Sequence, residues 1–257
     1  MTGTLRRLAR FFHPESGRML IAPLDQGVYE GMLAGIGEIA PLLHLMRGQP
    51  VQGVILNKGM ARAYLTEVPL ETQLVMQLSA GTKHGIPPYA RGIVSSVHEA
   101  HRLGADAVAL QLNIGNDLED RMLADFGAVC DDAHGLGLPV FALVHPKGGH
   151  IVNELDPTLI AHCIRLAAEL GADVTGVPFS SDPASFAAAA AASPIPVLVT
   201  GGPKQPDFES LLSMIGKALE SGAAGTCVGR NFFSRPEPGE ALARIVALVH
   251  GKGAQPD

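Results

Sequence analysis

The sequence lacks most features that stabilise or target proteins outside the cytoplasm. It has no tryptophan and only three cysteines, and charged residues make up 17% of its 257 residues. Cys130, Cys163 and Cys227 are widely spaced in apolar surroundings, so we expect buried free thiols rather than a disulfide framework or a zinc site. No stretch approaches the roughly 18 consecutive apolar residues of a membrane span. We therefore expect a cytoplasmic protein that is not bound to a membrane.

Positive charge is also scarce, and the formal net charge is −6 at pH 7. Nucleic-acid binding needs a clustered basic surface, which the scattered lysines and arginines do not provide, so no nucleic-acid partner is expected. No CxxC or HxxxH spacing is present, and no GxGxxG motif follows the first strand-like run. We accordingly expect neither a metal nor an organic cofactor.

What the sequence does contain is a regular series of short apolar runs, each ending in glycine, proline or polar residues. Such runs are typical of buried parallel strands. The eight runs are MLIAPLDQG (19–27), VQGVILNKG (51–59), QLVMQLSAG (73–81), AVALQLNIG (107–115), PVFALVHPKG (139–148), ADVTGVPFSS (172–181), PVLVTGGPK (196–204) and GTCVGRNFF (225–233).

Helical patterns separate most of these runs. Four of them begin with a capping side chain or a proline, at Asp156-Pro157, Asp182-Pro183, Asp207 and Glu237-Pro238. Eight alternating strand–helix units in one chain of this length predict a single (β/α)₈ barrel domain over residues 1–257, with a short N-terminal helix. Active sites of this fold lie at the carboxyl ends of the strands.

Glycine-rich turns end the last two predicted strands. Gly201-Gly202 follows the seventh strand, and Gly229-Arg230 follows the eighth. Adjacent turns of this kind form the usual phosphate site of such barrels, because backbone N–H groups can approach the phosphate oxygens closely. Arg230 would add a charged donor. We therefore predict a phosphorylated small-molecule substrate.

Four further residues at strand ends could carry chemistry. Asp25 is placed for proton transfer, although a loop-capping role is the alternative. Lys58 is either an anion anchor or a nucleophile, unless its amine simply extends into water. His145 and Lys147 flank Pro146 and could serve as proton donor and phosphate ligand.

At these residues the sequence resembles the archaeal-type class I aldolases, which include archaeal fructose-bisphosphate aldolase and the 2-amino-3,7-dideoxy-heptulosonate synthases. The resemblance implies a (β/α)₈ barrel, a cytoplasmic homo-oligomer, and cleavage or formation of a carbon–carbon bond beside a ketone that carries a phosphate. It also implies a phosphate site at Gly201, Gly202, Gly229 and Arg230, and a role for Asp25. The matching segments are APLDQGV, LNKGMAR, GADAVALQLNIGND, HPKGGHIVNELDP, LAAELGADVTGVPFSSD, VTGGPK and GAAGTCVGRNFF.

The resemblance fails at three positions. Gln26 stands where the family has histidine, the family's Tyr-Pro-Arg-Gly is His145-Pro146-Lys147-Gly148, and Gly176 stands where the family has its Schiff-base lysine. An iminium needs a primary amine, which glycine cannot supply.

Three interpretations follow from these departures. The amine could have moved to Lys58 or Lys147, where a second cation lowers a lysine pKa. The enzyme could instead be a lyase or isomerase that uses an enolate, with Asp25 or His145 moving protons. The chain could also be an inactive sugar-phosphate-binding paralogue. We favour an aldolase-like lyase acting on a phosphorylated ketose or a related sugar phosphate.

Overall fold

The computed structural model describes residues 2–180, 182–202 and 207–251. Eight of the strands that it contains are long enough to build the barrel, and each falls within one of the eight apolar runs. The strands are β1 (Met19–Pro23), β2 (Gly53–Asn57), β3 (Gln73–Gln77), β4 (Ser79–Ala80), β5 (Gly92–Ile93), β6 (Ala107–Ile114), β7 (Val140–Pro146), β8 (Val174–Pro178), β9 (Val197–Thr200) and β10 (Gly225–Cys227).

The sheet is a closed barrel of eight parallel strands in the order β1-β10-β9-β8-β7-β6-β3-β2. β4 and β5 form a separate antiparallel pair, with Ser79 opposite Ile93, in the connection between β3 and β6. The predicted (β/α)₈ fold is therefore confirmed. Pro203 and Lys204, at the end of the seventh predicted run, lie outside the described residues.

Helices alternate with the barrel strands. The helical segments are α1 (Thr2–Ala9), α2 (Gly27–Glu30), α3 (Ile39–Leu45), α4 (Lys58–Tyr64), a 3₁₀ turn (Leu65–Glu67), α5 (Val97–Arg102), α6 (Glu119–Gly135), α7 (Pro157–Glu169), α8 (Pro183–Ala192), α9 (Phe208–Glu220), α10 (Arg230–Phe233) and α11 (Pro238–His250). None of the helices in the described part of the chain is both long and apolar enough to cross a membrane.

Three of the four predicted helix starts are capped by a side chain. Asp156 accepts hydrogen bonds from the first turn of α7, Asp182 from α8, and Asp207 from α9. Glu237 precedes α11 without a capping hydrogen bond, so Pro238 alone marks that start. A proline at this position lacks only an N–H group that the helix leaves unbonded in any case.

Strand alternation divides the core into two clusters. One set of strand residues packs outward against the helices, and the other fills the barrel. Phe11, which follows α1, belongs to the interior cluster, is fully buried, and lies 4.9 Å from the ring centroid of Phe141 on β7. Its ring therefore closes the barrel at the amino-terminal ends of the strands. The three cysteines are buried and free, as predicted.

Candidate active site at the carboxyl ends of the strands

The barrel interior changes from apolar to polar toward the carboxyl ends of its strands. Five buried apolar side chains of the interior are followed, two residues later, by a polar one that faces the same way. This step produces a cavity of about 480 Å³, a volume suited to a small ligand. Interior pairs of this kind are Ile55 and Asn57, Val75 and Gln77, Ala109 and Gln111, Leu143 and His145, and Leu198 and Thr200.

Several lining side chains have hydrogen-bonding capacity that the protein does not use. Gln26 Oε1, Gln77 Oε1, His145 Nδ1 and Thr200 Oγ1 are buried and have no hydrogen-bond partner among the described residues. All four residues line the cavity. Because buried polar groups are normally paired, this cavity is suited to a ligand with several hydroxyl or carbonyl groups.

Asp25 lies just beyond β1 and is partly buried at the cavity. Asn57 Nδ2 donates a hydrogen bond of 2.8 Å to the Asp25 backbone carbonyl, which fixes this turn against the end of β2. Desolvation raises the pKa of the Asp25 carboxyl to about 6, although its own backbone amide and the charge of Arg91 oppose the shift. A carboxylate with this pKa is a stronger base than an ordinary aspartate and is still ionised at neutral pH.

His145 and Lys147 are brought together at the end of β7, and both line the cavity. Burial lowers the pKa of His145 to about 4, and the charges of Lys147 and Arg91 add to this effect. The imidazole is therefore neutral at physiological pH. The Lys147 amine lies 5.7 Å from the centroid of the Tyr29 ring, within the distance of a cation–π contact.

The glycine turns after β9 and β10 meet at the cavity. Asn231 Nδ2 donates a 2.8 Å hydrogen bond to the Gly201 carbonyl and joins the two turns. A Cβ atom at Gly229 would collide with the Pro23 backbone carbonyl, and one at Gly201 would lie 2.9 Å from Asn231 Nδ2. Gly202 has a φ of 57°, in the left-handed region that favours glycine. The four predicted phosphate-binding residues thus line one side of the cavity.

The charge of Arg230 is less available than the sequence suggested. Its guanidinium forms a 2.9 Å ion pair with Glu30, the last residue of α2. Lys83 lies 3.8 Å from the other oxygen of the same carboxylate. A phosphate bound beside Arg230 must therefore share this guanidinium with Glu30.

Lys58 requires a correction, because the structure does not bring it to the cavity. It is the first residue of α4, and its amine pairs with Glu99 at 3.3 Å. Strand alternation explains this placement, since Ile55 and Asn57 face inward and Lys58 is one residue out of phase. The amine we expected in the barrel mouth faces α5 instead.

Gly176 lies on the inward face of β8, directly opposite Leu143 in the register of β7 and β8. A Cβ atom at Gly176 would be 2.7 Å from Leu143 Cδ2 and 3.2 Å from Thr200 Cγ2. The Leu143 side chain therefore fills the space into which a side chain at position 176 would extend.

Arg91 is a cavity residue that our reading of the sequence missed. It precedes β5, is only 7% exposed, and its guanidinium lies 4.6 Å from the centroid of the Tyr29 ring. The only available signal was a single arginine in the long connection after the third strand, and nothing in its spacing shows that it turns into the barrel. Structure alone identifies it.

A closed parallel barrel with a polar cavity at the carboxyl ends of its strands, lined by titratable side chains and glycine turns, has the architecture of an enzyme of this fold. Among the described residues, no three His, Cys, Asp or Glu side chains are grouped so as to hold a metal ion. Residues 19–235 match the model of the DeoC/LacD family aldolases, and the chain belongs to this family. The resemblance to class I aldolases is thereby confirmed, and the chain is classed with enzymes of the carbon–carbon lyase type.

Relatives and solved structures agree with this assignment. The chain is 37% identical to 2-amino-4,5-dihydroxy-6-oxo-7-(phosphonooxy)heptanoate synthase of Streptomyces griseus, over 97% of this chain and 91% of the relative. It is 32% identical to 2-amino-3,7-dideoxy-D-threo-hept-6-ulosonate synthase 1 of Archaeoglobus fulgidus, over 98% of this chain and 92% of the relative. An archaeal fructose-1,6-bisphosphate aldolase, solved with its catalytic lysine bound to a carbinolamine intermediate, superposes with a TM-score of 0.88 at 30% identity, over 96% of this chain and 99% of that one.

Proposed function

We propose that this protein catalyses the reversible aldol reaction of a phosphorylated ketose, with its phosphate at Gly201, Gly202, Gly229 and Arg230. The observation that carries the proposal is that these turns and Asp25, His145 and Lys147 line one cavity. The phosphate would hold the ketone near groups that can remove and return a proton.

In the synthetic direction, the reaction breaks a C–H bond beside the ketone and forms a C–C bond to an aldehyde. Asp25 takes the proton, and the released electron pair attacks the aldehyde carbon. The aldehyde oxygen takes this proton back from Asp25 and becomes a hydroxyl, which regenerates the carboxylate. His145, neutral at physiological pH, would act as a hydrogen-bond partner for the oxygen on which negative charge develops.

Lys147 is the candidate for the amine. It lines the cavity and occupies the end of the strand next to Gly176, whereas the Lys58 amine pairs with Glu99. In a covalent mechanism its amine would condense with the ketone, release water, and be regenerated by hydrolysis after the C–C step. In the alternative mechanism the same cation would stabilise an enolate without a covalent bond.

The first test needs no knowledge of the aldehyde. Dihydroxyacetone phosphate incubated with the enzyme in D₂O should exchange a carbon-bound hydrogen for deuterium, which NMR detects. Asp25→Asn should abolish the exchange. Failure of the wild-type protein to catalyse exchange would contradict the proposal and favour a binding-only protein.

The second test separates the two mechanisms. Borohydride added in the presence of dihydroxyacetone phosphate should trap the ketose on Lys147 as a stable adduct, which intact mass measurement detects. Lys147→Met should lose the adduct, while Lys58→Met, as the control, should keep it. Exchange without any trapped adduct would assign the protein to the enolate mechanism.

A further inference from the structure

The helix α2 is short and only lightly attached to the barrel. Within the described part of the chain, none of its four residues is buried and no side chain caps its first turn. It ends at Gly31, whose φ of 88° lies in the left-handed region. Segments with so few buried contacts are among the parts of a fold that shift most easily. The position of α2 therefore depends on the contacts that its side chains make.

Two successive residues of α2 make those contacts. Glu30 holds Arg230 in a 2.9 Å ion pair, and the two side chains are only 21% and 34% exposed. The Tyr29 ring lies 4.6 Å from the Arg91 guanidinium and 5.7 Å from the Lys147 amine. One short helix thus contacts the proposed phosphate site through Glu30 and the proposed reacting amine through Tyr29.

From this arrangement we propose that Glu30 and Tyr29 are positioning residues that couple phosphate binding at Arg230 to the release of Lys147. The ion pair holds α2 where the Tyr29 ring attracts the Lys147 ammonium. A phosphate that takes the guanidinium breaks this pair, α2 shifts, and the Lys147 side chain becomes free to reach the ketone. The inference rests on the proposed aldol function and applies to its covalent and its enolate form alike.

Charge makes the ion pair and a bound phosphate compete. The phosphate and the Glu30 carboxylate would lie on the same guanidinium, and like charges this close repel each other at a half-buried site. Lys83 offers the displaced carboxylate a second partner, because its amine already lies 3.8 Å from the other Glu30 oxygen. The pair can therefore open without leaving either charge unpaired.

The contact with the Tyr29 ring matters because the cations on it lie beside the site of reaction. Besides burial, the charges of Lys147 and Arg91 lower the pKa of His145, so both cations lie near this imidazole. The face of an aromatic ring attracts an ammonium and so favours one position of the flexible lysine side chain. Withdrawal of the ring therefore allows the amine to turn toward a ketone bound beside His145.

The first test divides the substrate into two pieces. Dihydroxyacetone, which lacks the phosphate, is incubated with the enzyme in D₂O at pH 8, inorganic phosphate is added separately, and NMR follows deuterium exchange. We expect phosphate to raise the exchange rate about 5- to 150-fold, the usual range of coupling between two sites. Sodium chloride at the same ionic strength is the control for screening of ion pairs. No increase, inhibition by phosphate, or an equal increase with chloride would overturn the inference.

Variants that break the contacts should be active without phosphate. Glu30→Gln removes the charge that holds Arg230, so dihydroxyacetone should exchange faster than in the wild type, and phosphate should bind but add little further increase. Tyr29→Leu removes the ring and should have the same effect, whereas Tyr29→Phe keeps the ring and should retain the activation. Glu169→Gln breaks an exposed ion pair with Arg165 and, as the matched control, should behave like the wild type.

The direction of the change separates coupling from a merely structural role for α2. Slower exchange of dihydroxyacetone in both Glu30→Gln and Tyr29→Leu, with exchange of dihydroxyacetone phosphate intact in the wild type, would overturn the coupling and leave the aldol reaction in place. Absence of exchange with dihydroxyacetone phosphate in the wild type would instead overturn the proposed function. The phosphate test on the wild-type protein decides the inference if a variant does not fold.

Discussion

Burial of the Asp25 carboxyl at the cavity lowers the stability of the folded protein at neutral pH. Its carboxyl pKa rises to about 6 on burial, so ionisation above that pH costs free energy in the folded state that the unfolded chain does not incur. Between the ordinary aspartate pKa and about 6, the folded protein binds more protons than the unfolded one. Stability from this group is therefore present at low pH and is lost as the pH rises through about 6.

Asp25→Asn should accordingly stabilise the protein at pH 8 by about 1–3 kcal/mol. The pKa of Asp25 lies roughly two pH units above its ordinary value, and each pH unit corresponds to about 1.4 kcal/mol. At pH 4 the difference from wild type should nearly vanish. Urea unfolding at pH 8 and at pH 4 measures the difference in stability between the variant and the wild type. Asp207→Asn provides the contrast, because hydrogen bonds from Ser210 lower the pKa of Asp207, and its replacement should destabilise the protein at pH 8. A destabilised Asp25→Asn protein at pH 8 would contradict the burial effect.

The same carboxyl should set the pH dependence of deuterium exchange. In the proposed mechanism Asp25 acts as the carboxylate, so the rate should rise with pH and reach half its maximum near pH 6. His145 stays neutral above about pH 5 and should add no second transition between pH 5 and 9. Arg91→Met removes a charge that favours the carboxylate, so the midpoint should move to higher pH. A profile that is flat from pH 5 to 8 would exclude Asp25 as the base.

The effects of Arg230 and Glu30 on phosphate binding can be distinguished by substituting each residue in turn. Arg230→Ala should weaken dihydroxyacetone phosphate binding by about 1.5–3 kcal/mol, the range for a hydrogen bond to a charged group. Glu30→Gln releases the guanidinium from its 2.9 Å ion pair and should tighten binding. Isothermal titration calorimetry gives both affinities. Unchanged affinity in Arg230→Ala would show that backbone groups alone hold the phosphate.

At the scale of strands, the packing of β7 against β8 explains why position 176 holds the smallest residue. Gly176→Ala places a methyl group 2.7 Å from Leu143 Cδ2 and should destabilise the protein by about 1–3 kcal/mol. Leu143→Ala alone should cost about 2–5 kcal/mol. The double variant should be more stable than the sum of the two effects predicts, since the new methyl group enters the space that leucine vacates. Strict additivity in denaturant unfolding would show that the two side chains do not compete.

The elements also show how far the sequence could predict the site. The barrel, the capped starts of α7, α8 and α9, and the glycine turns follow from local patterns, because strand alternation, capping and turn chemistry involve neighbouring residues. The same alternation predicts that His145 faces the barrel interior and that Lys58 faces outward. For Lys58, the alternation is counted along β2 from the buried residue Ile55. That count places Lys58 outside the cavity.

Arg91 and the Arg230–Glu30 pair could not be predicted in this way. Arg91 reaches the mouth through a connection that doubles back as β4 and β5, so its position depends on a tertiary contact with the Tyr29 ring. Glu30 and Arg230 are 200 residues apart and meet only because β1 and β10 close the barrel. The association into a homo-oligomer is likewise a prediction that a single chain does not test.

At the scale of the whole molecule, the N-terminal segment closes the barrel. Phe11 is fully buried against Phe141, so Phe11→Ala should cost about 3–5 kcal/mol through the cavity it leaves. Phe12→Ala, next in the chain and only partly buried, should cost clearly less. Urea unfolding compares the two variants, and similar small losses in both would show that the ring does not complete the core.

The closure by Phe11 also bears on the order of events during turnover. Since the amino-terminal end of the barrel is filled, substrates and products share the opening at the carboxyl ends of the strands. In the proposed reaction, a product still bound in that opening blocks the next ketose phosphate. Inhibition by the product that occupies the proposed phosphate site should therefore be competitive with the phosphorylated substrate. Ligand entry and product release therefore use the same opening, so a bound product must leave before the next substrate can bind.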